Sequence, residues 1–264
     1  MQAPRLVATD VDGTLLDPDD RVTPRAVAVI DRLVAAGVGF VLVTGRPPRW
    51  IPPVAAQLGV ARLAVCANGS VLYDVVADRV LWSRTLDPDA LAHLVAAVEG
   101  TFPGCGLAVE RVGDGAPFLA EPGYRHAWVD GDDITVDRSG LLSGSAVKLL
   151  VRDSRLASDA MVAALAPVIG DAADLTFSHP HGLVEISPPN VTKATGLAEV
   201  AQQRGVPAAD VVAFGDMPTD LEMLLWAGHG VAMGNAHPAL LAVADEVTAA
   251  NAEDGLALVL ERWF

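Results

Sequence analysis

Apolar runs that stop abruptly at small polar residues mark both ends of the chain. "RLVATD" ends at Asp10, "GVGFVLVTG" at Thr44 and Gly45, and "RLAVCANG" at Asn68 and Gly69. Much later, "DVVAFGD" ends at Gly215 and Asp216, and "HGVAMGN" at Gly234 and Asn235. Runs without alternating polar positions suit strands buried on both faces, as in a parallel sheet. Between them the period changes. Val27, Ile30 and Val34 recur at helical spacing, with Thr23 as N-cap, Pro24 as first helical residue and Gly37 as stop. "VTKATGLAEVAQQRG", "TDLEMLLWAG" and "HPALLAVADE" read as further helices. Repetition of strand, helix, strand predicts a doubly wound, Rossmann-like α/β sheet. Functional groups in such a sheet gather outside the carboxyl ends of the strands. Asp10, Thr44, Asn68, Asp216 and Asn235 are all expected there.

The middle of the chain breaks this rhythm. Helices are predicted at "DPDALAHLVAAVEG" and "SRLASDAMVAALAP", and strands at "GLAVERV", "AVKLLVR", "DLTFSH" and "GLVEIS". That is enough for a separate α+β layer. The expected organisation is a core of residues 1–83 and 188–264 interrupted by an inserted domain, 84–187. The Gly/Asp-rich "DGDDITVDRSGLLSGS" is expected to be a surface loop of the insert.

Composition narrows the class. The chain has 264 residues, 52% hydrophobic, enough for a packed core, and no apolar run reaches the roughly 18 residues of a membrane span. "MQAPRLVATD" lacks the basic start and long apolar run of a signal peptide, so a soluble, cytoplasmic protein is expected. Cys66 and Cys105 form no CxxC pair and read as small core residues rather than a disulfide. A formal charge of −15 argues against nucleic acid and anionic membranes as partners. Lys148 and Lys193 are the only lysines in the chain, so each draws attention.

The chemistry-bearing residues lie at the ends of the buried runs. Asp10 and Asp12, two apart, point to one face if the strand continues, and Gly13 then permits a sharp turn. A cation site, a nucleophile beside an acid/base, and a capping turn all fit that pair. An EF-hand does not, because its glycine belongs at loop position 6 and Arg21 stands where the bidentate glutamate is required. Asp216 and Asp220, spaced by four, face one way if a helix starts there; Asp216 as a helix cap is the plainer reading. Four carboxylates at strand ends repel unless a divalent cation joins them, and an all-oxygen donor set favours Mg²⁺. Thr44, Gly45 and Arg46 in "TGRP" offer a hydroxyl and backbone N–H groups for a phosphate, or simply make a strand-to-helix turn. Lys193 offers a fixed positive charge, or is a solvated surface lysine. His179 and His181 in "HPH" lack an evident third metal ligand. Tyr124, Arg125, His126 and Trp128 are either substrate-facing or packed, and Met217, Met223 and Trp226 read as core or helix-face positions.

"DVDGTLLD", "VTGRP", "VTKATGL" and "FGDMPTDLEML", in that order, resemble the four motifs of the haloacid dehalogenase superfamily of phosphatases. The insert between the second and third, with "NGS" and "VAMGNAHP", resembles the Cof-type subgroup with a large α/β cap. The resemblance spans nearly the whole chain. It implies Asp10 as the nucleophile that becomes an aspartyl phosphate, and Asp12 as the acid that protonates the leaving oxygen and later deprotonates water. It implies Mg²⁺ held by the Asp10 carboxylate, the Asp12 backbone carbonyl and Asp216, with Asp220 in support. Thr44 and the Gly45 amide would hold the phosphoryl group, Lys193 would offset charge, and Arg46, Asn68 and Thr219 stand near the substrate. Thr219 departs from the family's usual asparagine. The implied activity is hydrolysis of a small phosphate monoester, a sugar phosphate or related metabolite, by a monomer or homodimer. A phosphotransferase or mutase on the same core, and a non-catalytic phosphometabolite-binding protein, remain open alternatives.

Overall fold

The computed structural model describes residues 2–113, 118–126 and 133–264. Each apolar run of the outer segments becomes a strand. In the first segment β1 (Leu6–Thr9), β2 (Gly39–Val43) and β3 (Leu63–Cys66) alternate with α1 (Pro24–Ala35) and α2 (Pro52–Leu58). Thr23 caps α1 by accepting from the Ala26 N–H, and Gly37 takes φ +83° just past the helix end, as the sequence predicts. Two further strands, β4 (Val71–Asp74) and β5 (Arg79–Ser83), extend the sheet.

The middle of the chain supplies α3 (Pro88–Thr101), β6 (Gly106–Glu110), β7 (Phe118–Ala120), β8 (Asp133–Thr135), α4 (Arg138–Leu141), β9 (Lys148–Arg152), α5 (Ser158–Ile169), β10 (Asp174–Thr176) and β11 (Leu183–Ser187). The chain then returns through α6 (Lys193–Gln203), β12 (Val211–Gly215), α7 (Leu221–Trp226), β13 (His229–Ala232), α8 (Pro238–Leu241), β14 (Glu246–Val247) and α9 (Gly255–Leu260). Two compact units result: residues 1–82 with 192–264, and residues 83–191.

In the first unit the strand order is β14-β13-β12-β1-β2-β3-β4-β5. The strands from β14 to β3 pair in parallel, and β3 pairs antiparallel with β4. The doubly wound sheet is therefore as expected, with an antiparallel extension that the sequence reading did not include. Leu6, Ala8, Val41 and Val43 pack with Leu197 and Val200 of α6 and with Met223 and Leu224 of α7. Burial of each such Leu or Val contributes roughly 1.5–3 kcal/mol.

The second unit is a six-stranded sheet, β10-β11-β9-β6-β7-β8. Its pairs are antiparallel except β7 with β8. Leu107, Val109, Leu149, Val151, Val184 and Ile186 form a core with residues of α3 and α5. The other face carries Glu110, Lys148 and Glu185, all buried, with Lys148 Nζ 2.5 Å from Glu185 Oε2.

Two local expectations are corrected. The described part of "DGDDITVDRSGLLSGS" is not simply a loop: β8 adds to the sheet, and Asp137 caps α4 by accepting from the Gly140 N–H. The helix expected over "HPALLAVADE" stops after Leu241. Asp245 is claimed instead by the sheet, where its N–H donates to Gly230 O and its carboxylate accepts from Gly230 N–H, leading into β14. Among the described residues no helix is long and apolar enough to cross a membrane.

Candidate active site

Parallel pairing sets the strand ends of the first unit side by side, and the polar residues follow from there. β1 ends at Thr9, and the Asp10 N–H continues the ladder by donating to Phe214 O of β12 at 3.0 Å. The chain then turns sharply over residues 11–15, closed by the Leu16 N–H on Val11 O at 3.0 Å. Gly13 makes the turn with φ +76°; a Cβ there would sit 2.3 Å from Asp216 Oδ2. Only glycine meets both the dihedral and the space. Thr14 Oγ1 donates to Asp216 Oδ1 at 3.0 Å, so the turn after β1 directly grips the acid after β12.

Lys193 opens α6. Thr192 and Thr195 form a reciprocal capping box at that end, which fixes the first turn. Close seating is allowed by glycines: a Cβ on Gly69 would lie 2.0 Å from Thr192 O, and one on Gly196 2.6 Å from Val65 Cγ1. A cation at a helix N-terminus is opposed by the helix dipole. Lys193 tolerates it because Nζ lies 2.6 Å from Asp10 Oδ1 and 2.6 Å from Asp220 Oδ1. The solvated-lysine reading is thereby excluded, since only 2% of the residue is exposed.

Asp220 is fully committed within the protein. Its second oxygen accepts the N–H groups of Asp216 and Met217 at 3.1 and 3.0 Å. It therefore shapes the turn after β12 and holds the ammonium at once. Asp216 does not cap a helix; it stands before that turn, bonded to Thr14, which replaces the plainer sequence reading.

Electrostatics follow from burial. One carboxylate oxygen from each of Asp10, Asp216 and Asp220 lies within 4.8 Å of the others, and all three residues are buried. Burial raises the Asp10 carboxyl well above its ordinary range; Lys193 opposes this, while Asp220, Asp216 and Asp12 add to it. Burial, then Asp220, pushes Asp216 up to about 7, against the lowering effects of Lys193 and Thr14. For Lys193, burial pulls downward, but Asp10 and Asp220 outweigh it and hold the ammonium charged. One ammonium among three buried carboxylates leaves a surplus of negative charge on hard oxygen donors. That arrangement fits a small divalent cation such as Mg²⁺.

Asp12 behaves differently from Asp10. The two do not lie on a continuing strand, because β1 stops at Thr9 and the chain turns over residues 11–15. Asp12 is more than half exposed, and Arg46 grips it: Nε lies 3.1 and 2.9 Å from its two oxygens and Nη2 2.5 Å from Oδ1. Arg46 also lies 3.8 Å from Asp20. Thr44, fully buried after β2, accepts the Arg46 N–H on Oγ1 at 3.1 Å. Its hydroxyl proton is still available to a ligand. Gly45 stands between the two. Asn68, at φ +56°, donates its N–H to Thr44 O at 3.0 Å, and Thr219 is buried in the turn before α7.

Several supporting residues were not singled out from sequence. Asn235 donates to Gly13 O at 2.9 Å and accepts from the Asn251 N–H at 2.9 Å; Asn251 donates to Leu16 O at 2.7 Å. The His237 N–H donates to Asp216 O at 2.7 Å. Asn235 was placed at a strand end without a role. Thr14 had a signal, its place in "DGT"; Asn251 had none.

In the second unit, Tyr124 packs with Phe118 and His126, at ring centroid distances of 5.7 and 5.1 Å. Trp128 lies outside the described residues. His179 and His181 stack edge to face and join no metal-ligating group among the described residues. Neither Cys66 nor Cys105 is in a disulfide, and Met223 is core.

Comparison with known proteins supplies the remaining context. A family model for haloacid dehalogenase-like hydrolases matches residues 7–260. The chain is 30% identical to the 5-amino-6-(5-phospho-D-ribitylamino)uracil phosphatase YitU of Bacillus subtilis, across 99% of this chain and 98% of that one. It is also 30% identical to an HMP-PP phosphatase of Serratia proteamaculans, across 89% and 86% of the two chains. The solved structure of a haloacid dehalogenase-like hydrolase from B. subtilis superposes with a TM-score of 0.84 at 22% identity, covering 98% of this chain and all of the other.

Proposed function

The chain belongs to the haloacid dehalogenase-like hydrolase family, and from that premise we propose that it is a Mg²⁺-dependent phosphatase acting on a small phosphorylated metabolite through an aspartyl phosphate. The observation that carries this reading is the buried Lys193 ammonium between Asp10 and Asp220. Its positive charge opposes the upward push that burial and the neighbouring carboxylates give the Asp10 carboxyl, and so favours the ionised, nucleophilic form.

An Asp10 oxygen attacks phosphorus, and the bond from phosphorus to the ester oxygen breaks. Thr44 donates its hydroxyl to the transferring phosphoryl group, with the Gly45 N–H beside it. Asp12, released from Arg46, gives a proton to the departing oxygen. Asp12 then takes a proton from water, which attacks phosphorus and breaks the bond to Asp10. The Asp10 and Asp216 carboxylates and the Asp12 backbone carbonyl would hold Mg²⁺, with Asp220 fixing the turn that carries Asp216. When bound, the ion supplies positive charge that offsets the carboxylates and the phosphoryl oxygens. The role assigned to residues 83–191 is substrate choice. The activities in the names of the two phosphatase relatives, each on a small phosphorylated compound, support that substrate class.

The test is phosphate release from a panel of small phosphate esters, with Mg²⁺ and with EDTA, beside Asp10→Asn. Turnover that needs Mg²⁺ and disappears in the variant is expected. Undiminished turnover in Asp10→Asn overturns the nucleophile assignment, and phosphate recovered on a second sugar hydroxyl instead of in solution identifies a transferase.

A further inference from the structure

Positive charge is scarce in this chain, yet three of its sixteen arginines line one cleft of the second unit. The cleft, about 180 Å³ and open to solvent, is formed by Gly104, Gly106, Gly123, Arg125, Arg152 and Arg155, with Asp153 and Ser154 beside them. Asp153 is the one acidic residue among these lining groups. Three guanidinium groups against one carboxylate leave a net positive cleft on a protein whose formal charge is −15.

Two of the guanidinium groups are held in place. Arg155 forms a fork with Asp153, Nε to Oδ1 at 2.8 Å and Nη2 to Oδ2 at 2.6 Å, and Asp153 itself is buried. Arg152, the last residue of β9, is tied by neutral groups. Its Nε donates to Arg125 O at 3.0 Å, and its Nη1 donates to His181 O. Carbonyls orient a guanidinium without cancelling its charge, and no carboxylate among the described residues pairs with Arg152. Its Nη2 likewise has no protein acceptor among them. The uncompensated charge is felt locally. Asp153 is held below the usual carboxylate range first by Arg155 and also by Arg152, and His179 is lowered by burial and then by Arg152.

We infer that this cleft is an anion-binding site carried wholly by the second unit, which takes a small molecule bearing a phosphate dianion. Planar guanidinium forks match the oxygens of a phosphoryl group, and preset forks give up little side-chain freedom on binding. The three glycines leave the wall without side chains, so an oxyanion can approach closely. One such wall is forced by packing alone: a Cβ on Gly106 would meet Tyr124 Cα at 2.6 Å. The site stands on residues given no catalytic or metal-holding role above, and its test does not depend on turnover.

The experiment is isothermal titration of the whole protein with inorganic phosphate and with pyrophosphate, in EDTA, with citrate as a non-phosphate trianion. Wild type is compared with Asp10→Asn and with the double variant Arg125→Gln/Arg152→Gln. Binding that persists in Asp10→Asn and weakens at least about tenfold in the double variant is expected. Comparable binding of citrate would show a general anion cleft and overturn the phosphate assignment. Unchanged affinity in the double variant, or no heat in wild type up to ~10 mM phosphate, a weak-affinity limit near the millimolar scale, would overturn the site itself. Lys148→Met, which removes one positive charge from the same strand, is expected to leave phosphate binding unaltered.

Discussion

Replacing Lys193 by Met removes the one ammonium that faces Asp10 and Asp220, both buried and each 2.6 Å away. Removal of one partner from a buried ion pair costs about 3–5 kcal/mol. Without the ammonium, nothing opposes the upward push that burial and the neighbouring carboxylates give the Asp10 carboxyl, so the folded variant holds a proton there to higher pH than wild type. The sign of the pH dependence then follows. In the variant the folded state binds a proton that the unfolded state lacks, so its stability falls as pH rises above the unfolded value. The deficit against wild type should narrow as pH falls from 7 towards 5, by at most about 1.4 kcal/mol for each pH unit. Denaturation in EDTA, followed by tryptophan fluorescence at pH 5.5, 7 and 8, checks this. Four of the five tryptophans, Trp50, Trp82, Trp226 and Trp263, lie in the unit that holds Lys193. A midpoint lowered by roughly 8–16 °C at pH 7 is expected. A variant as stable as wild type, or a deficit that does not change with pH, would refute the buried-pair account.

Gly13→Ala places a methyl 2.3 Å from Asp216 Oδ2 at φ +76°; a loss of at least about 2 kcal/mol in thermal denaturation and more than tenfold in turnover is expected, and wild-type turnover would contradict the geometry. Arg46→Ala breaks a half-exposed pair, so stability should move by under about 1 kcal/mol. Turnover of esters with poor leaving groups should fall about tenfold, and of activated aryl esters much less, because Asp12 loses its positioning partner; equal losses for both would argue against Asp12 as the acid. The Cys105 thiol is pushed up to about 11, chiefly by burial. Its iodoacetamide labelling at pH 8 should run about a hundredfold slower than that of an ordinary thiol, as followed by mass spectrometry; rapid labelling would contradict that environment.

The strand–helix rhythm and the positions of the strand ends were legible in the sequence because they rest on local rules. Uninterrupted apolar runs demand burial on both faces, and Thr23, Pro24 and Gly37 punctuate α1 within a few residues of themselves. The polar residues that end those runs could be named for the same reason. Their partners could not. Whether Lys193 is solvated or buried depends on α6 packing against the turn at 67–69, more than 120 residues earlier. Whether Asp12 continues the strand from Asp10 depends on where β1 stops, which the ladder to β12 decides. Thr14 finds Asp216 across 202 residues, and Asn235 and Asn251 tie the turn after β1 through contacts that leave no local pattern. The helix expected over "HPALLAVADE" was lost because Asp245 and Glu246 gain more from the open edge of β13 than from another helical turn. Sequence alone thus determined which elements form and which residues stand at their ends. Tertiary structure decided which charges meet, because an ion pair's strength is set by its distance and its isolation from water, and neither exists until the distant segments have packed.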